Sequence, residues 1–407
     1  MRSTRDVLVS TLIAALAVAA WGALAISSPG EAQQARPIVI GASVSLTGDF
    51  SEDGKAIQQG YMFWADEVNK HGGVLGRQVT MKFADDASST QQVVTNYQNL
   101  IARDKVDLVV GPFSSLLTIP ASVVAHRYGY AFLAPAGGGP KVFQQGFNNF
   151  FFVQPAPVAD QLNSFARWVL TRTPRPRTAA YATEDDPFAK PQVDNARKIL
   201  EAGGVRTLSN KIWRAETTDY TPIALAIAQT KADIVVLGTT GLPEAVAFVK
   251  SFIQQHYNPK ALIEASGPDE GAQFSKAVGE KATEGIMVSA GWWAGAKTYH
   301  NQEFVAGFIA QHGGKPEDIS QDTAEAYATG QVLQQAVERI HNIDNTKLIA
   351  ELHRSTFQTV LGPLKWDSAG RPQGEFFLVQ WQGGKPVPVY PPSMAVGKPE
   401  YPKSPWQ

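Results

Sequence analysis

Short apolar runs alternate with amphipathic helical patterns along this chain, and the alternation occurs twice. The apolar run at 38–42 predicts a strand that is covered on both faces, as in a parallel sheet. The next segment has one apolar face at the helical period of about 3.6 residues, formed by Ile57, Tyr61, Trp64, Ala65 and Val68. Predicted strands near 79–83 and 108–110 flank a predicted helix near 91–102. This order predicts βαβ units with right-handed crossovers.

The second half of the chain repeats the pattern. The segment 201–205 resembles 70–74, and 231–236 resembles 105–110 at a similar offset. The chain is also too long for one hydrophobic core and suits two domains. We therefore predict an α/β fold with two Rossmann-like lobes around parallel-rich central sheets.

The first residues have the features of a secretion signal. Arg2 and Arg5 precede an uncharged stretch at 7–26, and Ala23-Leu24-Ala25 offers a small-x-small cleavage site. We predict a signal peptide at 1–25, with a second cleavage site as late as 32 and a retained membrane anchor as the alternative. The chain contains no cysteine, so it has neither a lipid-anchored cysteine nor a disulfide. These features predict a periplasmic location and argue against a lipoprotein.

Composition and motifs argue against catalysis and nucleic-acid binding. The 36 Lys and Arg residues balance 37 Asp and Glu residues, which gives no basic footprint for nucleic acid or anionic lipid. Gly48, Gly54 and Lys55 resemble a phosphate loop, but their spacing fails and Ala56 replaces the required Ser or Thr. The sequence also lacks the G-x-G-x-x-G, G-x-S-x-G and H-E-x-x-H motifs. We therefore predict a binding protein without cofactor, metal or catalytic residues.

Acidic clusters follow two predicted strands, at 85–86 and at 184–186. Acids in this position commonly cap the next helix, and a catalytic or metal-binding role is the alternative.

Two strand ends carry residues suited to holding a carboxylate. Ser114 and Ser115 follow the strand at 108–110 and open the next predicted helix, where hydroxyls and free backbone N–H groups meet. Simple N-capping by a serine is the alternative. Ala136, Gly137 and Gly138 follow the next strand, and their small side chains allow close approach of a ligand to the backbone. A flexible turn before the next helix is the alternative.

Several motifs in order resemble a known family, with similarity from about residue 37 to 382. The segments that carry the resemblance lie at 40–42, 46–48, 72–77, 84–86, 110–112, 114–115 and 134–136. The chain resembles the extracytoplasmic substrate-binding proteins of ABC transporters, in the leucine/isoleucine/valine-binding protein family with the type I periplasmic-binding fold. The resemblance implies two lobes that are joined by three crossings and close on ligand about a hinge.

The resemblance also implies the extent of each lobe. The N-terminal lobe comprises 36–155 plus about 290–355, and the C-terminal lobe comprises 156–289 plus about 356–385. The remainder, 386–407, is rich in proline, and we expect it to lie extended on the surface.

The same resemblance assigns candidate ligand-binding residues. Ser114 or Ser115, Ala136 and Gly138 would hold a ligand carboxylate, although the family often has threonine at the Gly138 position. Phe188 matches an aromatic position of the second lobe. Asp269 or Glu270 would receive a ligand ammonium group. This segment has one residue more than the family's, so the resemblance does not decide between the two acids. Helix capping is the alternative for each.

Three further aromatic residues are candidate walls of the ligand site. Trp292 and Trp293 lie where the family's chain crosses between lobes, and packing in the core or hinge is the alternative for each. Phe50 lies in the first strand-to-helix loop. In addition, Gly138 and Phe188 stand where the family often has hydroxyl-bearing residues. Together with the aromatic candidates, these replacements favour an aromatic carboxylate or an amide as a further ligand class beside a branched-chain amino acid.

The expected function is therefore that of a periplasmic solute-binding component of an ABC importer. Its partners would be a small carboxylate-bearing ligand and membrane permease subunits with a cytoplasmic ATPase, and we expect a monomer. The alternatives are a ligand-sensing module of the same fold and an exported hydrolase.

Overall fold

The computed structural model describes residues 36–406, so the predicted signal peptide lies outside the described residues. Within this range no helix is both long and apolar enough to cross a membrane.

The first sheet has five parallel strands in the order β2-β1-β3-β4-β5. Four helices connect its strands: α1, α2, α3 and the short α4. In chain order the elements are β1 (Ile38–Val44), α1 (Ser51–Lys70), β2 (Val79–Asp85), α2 (Thr90–Gln98), β3 (Leu108–Val110), α3 (Ser115–Arg127), β4 (Phe132–Ala134), α4 (Pro140–Phe143) and β5 (Phe150–Phe152). A π-helical turn, Asn99–Arg103, extends α2. The five predicted residues of the α1 face are all buried, which confirms the period-based prediction.

The second sheet has seven strands in the order β14-β13-β10-β9-β8-β6-β7. Its first five strands in sequence are parallel, and β13 and β14 add an antiparallel hairpin at one edge. The elements are α5 (Asn163–Val169), β6 (Thr178–Glu184), α6 (Ala189–Ala202), β7 (Arg206–Trp213), α7 (Thr221–Thr230), β8 (Ile234–Gly238), α8 (Leu242–Gln254), β9 (Ala261–Glu264), α9 (Ala272–Val278), β10 (Ile286–Ala290), β13 (Phe377–Gln382) and β14 (Lys385–Tyr390). Short 3₁₀ turns lie at Val158–Asp160 and Glu280–Thr283.

The chain passes three times between the sheets: after β5, after β10 and before β13. Between the second and third crossings it forms a 3₁₀ turn (Pro316–Asp318), α10 (Asn301–His312), α11 (Gln321–Ile340), α12 (Asn345–Arg354), and a hairpin of β11 (Phe357–Thr359) and β12 (Gly362–Leu364). These observations confirm the predicted architecture of two α/β lobes with parallel-rich sheets and three crossings.

The hairpin of β11 and β12 packs with the first lobe, although the sequence analysis assigned residues from about 356 to the second. Phe357, Leu364 and Trp366 are buried in the hydrophobic cluster that contains α1 and α11. The Trp366 indole N–H also donates to the Phe152 carbonyl at 2.6 Å, which ties this segment to the edge strand β5.

The proline-rich tail begins as a strand. Lys385–Tyr390 pairs with β13 as the edge of the second sheet, and Pro386 and Pro388 fit there because an edge strand leaves half of its N–H positions without a ladder partner. The sequence predicts an extended surface tail from 386, so the regular part of the second lobe continues five residues beyond its predicted end at 385.

Helices α1 and α11 pack closely across the first lobe. A Cβ atom on Gly60 would lie 2.2 Å from the Thr323 carbonyl oxygen, and one on Gly330 would lie 2.1 Å from the Trp64 ring. Glycine at these two sites allows the helices to approach, and the contact brings the first turns of both helices to the space between the lobes.

Candidate functional site

A cavity lies between the two lobes, beyond the carboxyl ends of the parallel strands. The residues that line it come from the loops after β3, β4, β6, β8 and β9, from the crossings, and from the first turn of α11. Ligands bind at this edge of open α/β sheets, because loops and helix N-termini converge there.

Ser114 lies directly before α3 and faces the cavity. It occupies the N-cap position, but its side chain makes no capping bond, and its buried Oγ has no hydrogen-bonding partner in the described chain. Ser115 opens α3 and also lines the cavity, and its Oγ accepts a hydrogen bond from the Gly139 N–H at 3.0 Å. The free hydroxyl and the free N–H groups of α3 form a cradle suited to an anionic group.

The loop after β4 brings backbone rather than side chains to the cavity. Ala136 and Gly137 line it, and Gly137 has a φ of 88° with no room for a Cβ, which would lie 2.2 Å from Thr118 Oγ1. Gly138 does not line the cavity. A Cβ there would lie 2.4 Å from the Phe152 ring, which itself lines the cavity. Phe152 therefore explains why a larger residue does not fit at position 138.

Four phenylalanine rings give the cavity its apolar surface: Phe113, Phe152, Phe188 and Phe376. Phe188 packs against the hydrophobic clusters of both lobes, so it lies across the cleft. Phe50, expected to be a wall, lies one layer behind. Its ring contacts Phe113 edge-on at 5.4 Å, and it does not line the cavity.

Trp292 and Trp293 lie away from this cavity and line a separate groove near β14. The Trp292 indole is buried in the first lobe, where it donates to Asn301 Oδ1 at 2.6 Å and contacts Phe304. Trp293 packs against the small cluster of β10 and β13. Because both rings pack against these hydrophobic clusters, neither forms a wall of the interlobe cavity.

Polar residues of the second lobe complete the lining, and most of them already have partners. Thr240 Oγ1 contacts Glu184 Oε2 at 3.0 Å and Glu244 Oε1 at 2.5 Å. Ser289 Oγ donates to the Gln161 carbonyl. Asp186 caps α6 by accepting from the Phe188 and Ala189 N–H groups, and burial raises its pKa to about 6 despite these bonds. Capping is thus the structural role of this acid, as one reading of the sequence proposed.

Besides Asp186, three acids line the cavity: Asp269 from the second lobe, and Asp322 and Glu325 from α11. Burial raises the pKa of Asp269 to about 6 and that of Glu325 to about 8, the latter with help from the charges of Asp269 and Glu270. None of the described residues that line the cavity is Lys or Arg. This lining therefore favours a positively charged group on the ligand.

Glu270 does not line the cavity, which separates it from Asp269. Asp269 Oδ1 accepts from the Gly267 N–H at 2.7 Å, while Glu270 is buried behind the cavity. The sequence did not decide which of these two acids contacts the ligand. In the structure Asp269 lines the cavity together with Ser114, Ser115, Ala136 and Phe188.

Sequence reasoning missed several lining residues, including Gln154, Asp186, Thr240, Asp322 and Glu325. Gln154 comes from the first crossing, and Asp322 and Glu325 come from the first two turns of α11, over 200 residues from Ser114. Asp186 and Thr240 each follow a strand, and this position could have predicted that they line the cavity. Nothing in the local sequence of Asp322 and Glu325 predicts that they do.

The chain belongs to the periplasmic binding protein family, because the model of that family matches residues 37–385. Its curated relatives include a Leu/Ile/Val-binding protein from Rhizobium johnstonii, 25% identical over 86% of this chain and 93% of the relative. An amino acid binding protein from Pseudomonas aeruginosa is 26% identical over 84% of this chain and 90% of its own length.

Solved structures share the fold at lower identity. An ABC transporter solute-binding protein from R. palustris in complex with benzoate superposes with a TM-score of 0.77 at 19% identity, covering 90% of this chain and 97% of that one. A branched-chain amino acid transporter substrate-binding protein from Streptococcus pneumoniae in complex with isoleucine has a TM-score of 0.73 at 19% identity, covering 86% and 97%. These structures confirm the two-lobed α/β fold.

Proposed function

We propose that this protein is the solute-binding component of an ABC importer and that it captures a small amino acid between its lobes. The observation that carries the proposal is the pairing of an unpartnered Ser114 hydroxyl at the start of α3 with Asp269 across the cavity. A carboxylate fits the first group and an ammonium fits the second. The four phenylalanine rings suit an apolar side chain.

A second ligand class, an aromatic carboxylate, is favoured by those rings. They can stack on an aromatic ligand, and one structural neighbour binds benzoate. The acids of the lining argue for the amino acid first, because a ligand without a positive charge leaves them buried and unpaired.

Capture by lobe closure fits the three crossings, which act as a hinge in this fold. Closed protein would then deliver its ligand to membrane permease subunits driven by a cytoplasmic ATPase, from a periplasmic location. These partners and this location are inferred from family membership and from the leader-like first residues.

The test is a thermal-shift screen of the full mature chain against amino acids, aromatic carboxylates, dicarboxylates and amides, followed by calorimetry on the hits. A ligand at about 100 times its Kd is expected to stabilise the fold by roughly 2.7 kcal/mol. A response to apolar amino acids supports the proposal, a response only to aromatic carboxylates favours the second class, and no response in any class contradicts both.

The first testable variant is Ser114→Ala. Because the Ser114 hydroxyl has no partner inside the protein, we expect the variant to lose about tenfold in ligand affinity while its melting temperature without ligand is unchanged.

Ser122→Ala is the matched control for this variant. It lies on the same helix with its hydroxyl bonded to the Ile119 carbonyl, and it should keep the affinity of the unmodified chain. Equal affinity in Ser114→Ala and Ser122→Ala would contradict the assigned role of Ser114.

A further inference from the structure

Three buried carboxyl groups from both lobes meet beside the cavity, which one of them, Asp322, also lines. Asp53 belongs to the first turn of α1, Asp322 to the first turn of α11, and Glu270 to the loop after β9. One oxygen atom of each lies within 4.8 Å of the other two. Their exposed fractions are 1%, 7% and 2%, so bulk water does not screen them from one another.

Each carboxyl group has an oxygen without a hydrogen-bonding partner: Asp53 Oδ1, Glu270 Oε2 and Asp322 Oδ2. A fourth buried acceptor, Gln154 Oε1, lines the same cavity as Asp322 and is also unpartnered. Native proteins rarely leave several acceptors in one place without a donor or a cation. Apart from the Ser320 hydroxyl beside Glu270, the side chains that meet here offer acceptors, and three of their oxygens have no partner in the described chain, which points to a positively charged occupant.

No side chain of residues 36–406 supplies that positive charge. The ion pairs of the described chain involve none of the three acids. Burial and the neighbouring acids raise the pKa of Asp53 and of Asp322 well above the usual value, and they raise that of Glu270 to about 8. These raised pKa values favour the protonated form of each group when no other cation is present.

We propose that Asp53, Glu270 and Asp322 bind a hard divalent cation of the calcium class and that this cation ties the two lobes together. All the ligand atoms are oxygens, which Ca²⁺ and Mg²⁺ prefer to softer metals. The three oxygens lie within 4.8 Å of one another, which does not exceed about twice a Ca²⁺–O bond of roughly 2.4 Å, so any two of them can bind one Ca²⁺ ion from opposite sides. Mg²⁺ demands near-ideal octahedral geometry and dehydrates reluctantly, so a buried site of protein oxygens suits it less well.

The site differs from the proposed ligand contacts. Asp53 and Glu270 do not line the ligand cavity, and only Asp322 belongs to both. Because Glu270 comes from the second lobe and the two aspartates from the first, a bound cation stabilises the closed arrangement. By linkage, cation and ligand should each raise the affinity of the protein for the other.

The test is calorimetric titration of the EDTA-treated full mature chain with calcium chloride, without any organic ligand. We expect one Ca²⁺ per chain, weaker binding of Mg²⁺, and release of protons that is measured by repeating the titration in two buffers of different ionisation enthalpy. A folded chain that binds neither Ca²⁺ nor Mg²⁺ at millimolar concentration would overturn the proposal.

Asp53→Asn and Glu270→Gln test the assignment of residues. Each should weaken Ca²⁺ binding by about tenfold or more, because it removes one ligand charge. Each should leave the melting temperature in EDTA at least as high as that of the unmodified chain, because it replaces a buried acid that favours its protonated form with a neutral amide of similar shape, so failure to fold is not the expected result. Variants that keep the Ca²⁺ affinity of the unmodified chain would overturn the assignment.

Two controls separate this proposal from the proposed function. Glu244→Gln alters a buried acid elsewhere in the second lobe and should leave Ca²⁺ affinity unchanged. Ser114→Ala should lower ligand affinity and keep Ca²⁺ affinity. In the unmodified chain, Ca²⁺ binding without any ligand response would count against the proposed function alone, and a ligand response without Ca²⁺ binding would count against the cation site alone.

Discussion

At the scale of single residues, the molecule contains an unusual number of buried acids. Glu264, the last residue of β9, is the most isolated of them. It is fully buried, and neither of its oxygens has a hydrogen-bonding partner in the described chain. Burial, with the charges of Glu244 and Asp269, raises its pKa well above the usual value and so favours the protonated, neutral form. Even a neutral carboxyl group costs free energy in this position.

We expect Glu264→Leu to raise the free energy of unfolding by about 1 to 3 kcal/mol, because it removes a buried polar group that has no partner. Urea unfolding of the ligand-free chain at pH 7 measures this. A lower unfolding midpoint in the variant would show that the Glu264 carboxyl makes a favourable interaction that leucine cannot replace.

Residue-level reasoning from the sequence anticipated part of the candidate site. Ser114 and Ala136 follow strands of the pattern, and strand ends meet at one edge of a sheet, so their convergence was predictable, whereas Phe188 was predicted only from the family resemblance. Asp322 and Glu325 were not, because the first turn of a helix carries no sign of which distant loop it faces. The aromatic residues at 292 and 293 were equally ambiguous, since a tryptophan suits a core as well as a ligand wall.

At the scale of elements, glycine sets the distance between α1 and α11. Gly60 faces the Thr323 backbone, and Gly330 faces the Trp64 ring. This close packing fixes where the first turns of both helices, and hence Asp53 and Asp322, are held.

Gly60→Ala should lower the free energy of unfolding by about 2 kcal/mol or more, because its Cβ would lie 2.2 Å from a backbone oxygen that cannot rotate away. Thermal unfolding measures the effect. Gly307→Ala in α10 is the control, since its Cβ would face only the edge of Phe63 at 3.0 Å, and it should cost much less. Equal losses in both variants would contradict the close-packing argument.

Elements with a strong period were predictable from the sequence, and elements without one were not. The strands β1 to β3, helix α1 and the buried stripe of α11 follow the apolar pattern directly. The lobe to which the hairpin of β11 and β12 belongs depends on long-range packing around Trp366, which no local period encodes. The prolines of β14 argue against a strand in the sequence. They are compatible with β14 because it is an edge strand of the sheet.

At the scale of the whole molecule, acids from both lobes meet where the lobes face each other. Burial raises the pKa of Asp269 to about 6, and burial with neighbouring charge raises the pKa of Glu270 and Glu325 to about 8. The folded chain therefore holds protons that the unfolded chain has released between about pH 4.5 and 8.

Stability of the ligand-free chain in EDTA should consequently fall as the pH rises through this window. The contribution of these acids is fully present below the ordinary carboxyl pKa and is lost as the pH passes about 6 and then about 8. Urea unfolding at pH 5.5 and pH 8 measures the difference, and the unfolding midpoint should be higher at pH 5.5. A higher midpoint at pH 8 would contradict the assigned protonation of the interlobe acids.

The pairing of α1 with α11 also determines when the first lobe can be completed during synthesis. Its five strands are made early, but the helix that covers α1 begins at residue 321, after most of the second lobe has been made. Until α11 emerges, the part of α1 around Trp64 that packs against Gly330 has no cover, although the sheet already covers the rest of the apolar face. The growing chain therefore cannot finish its first lobe before it starts its second. A truncated product that ends before α11 would lack both the helix that covers Trp64 and the carboxyl group of Asp322.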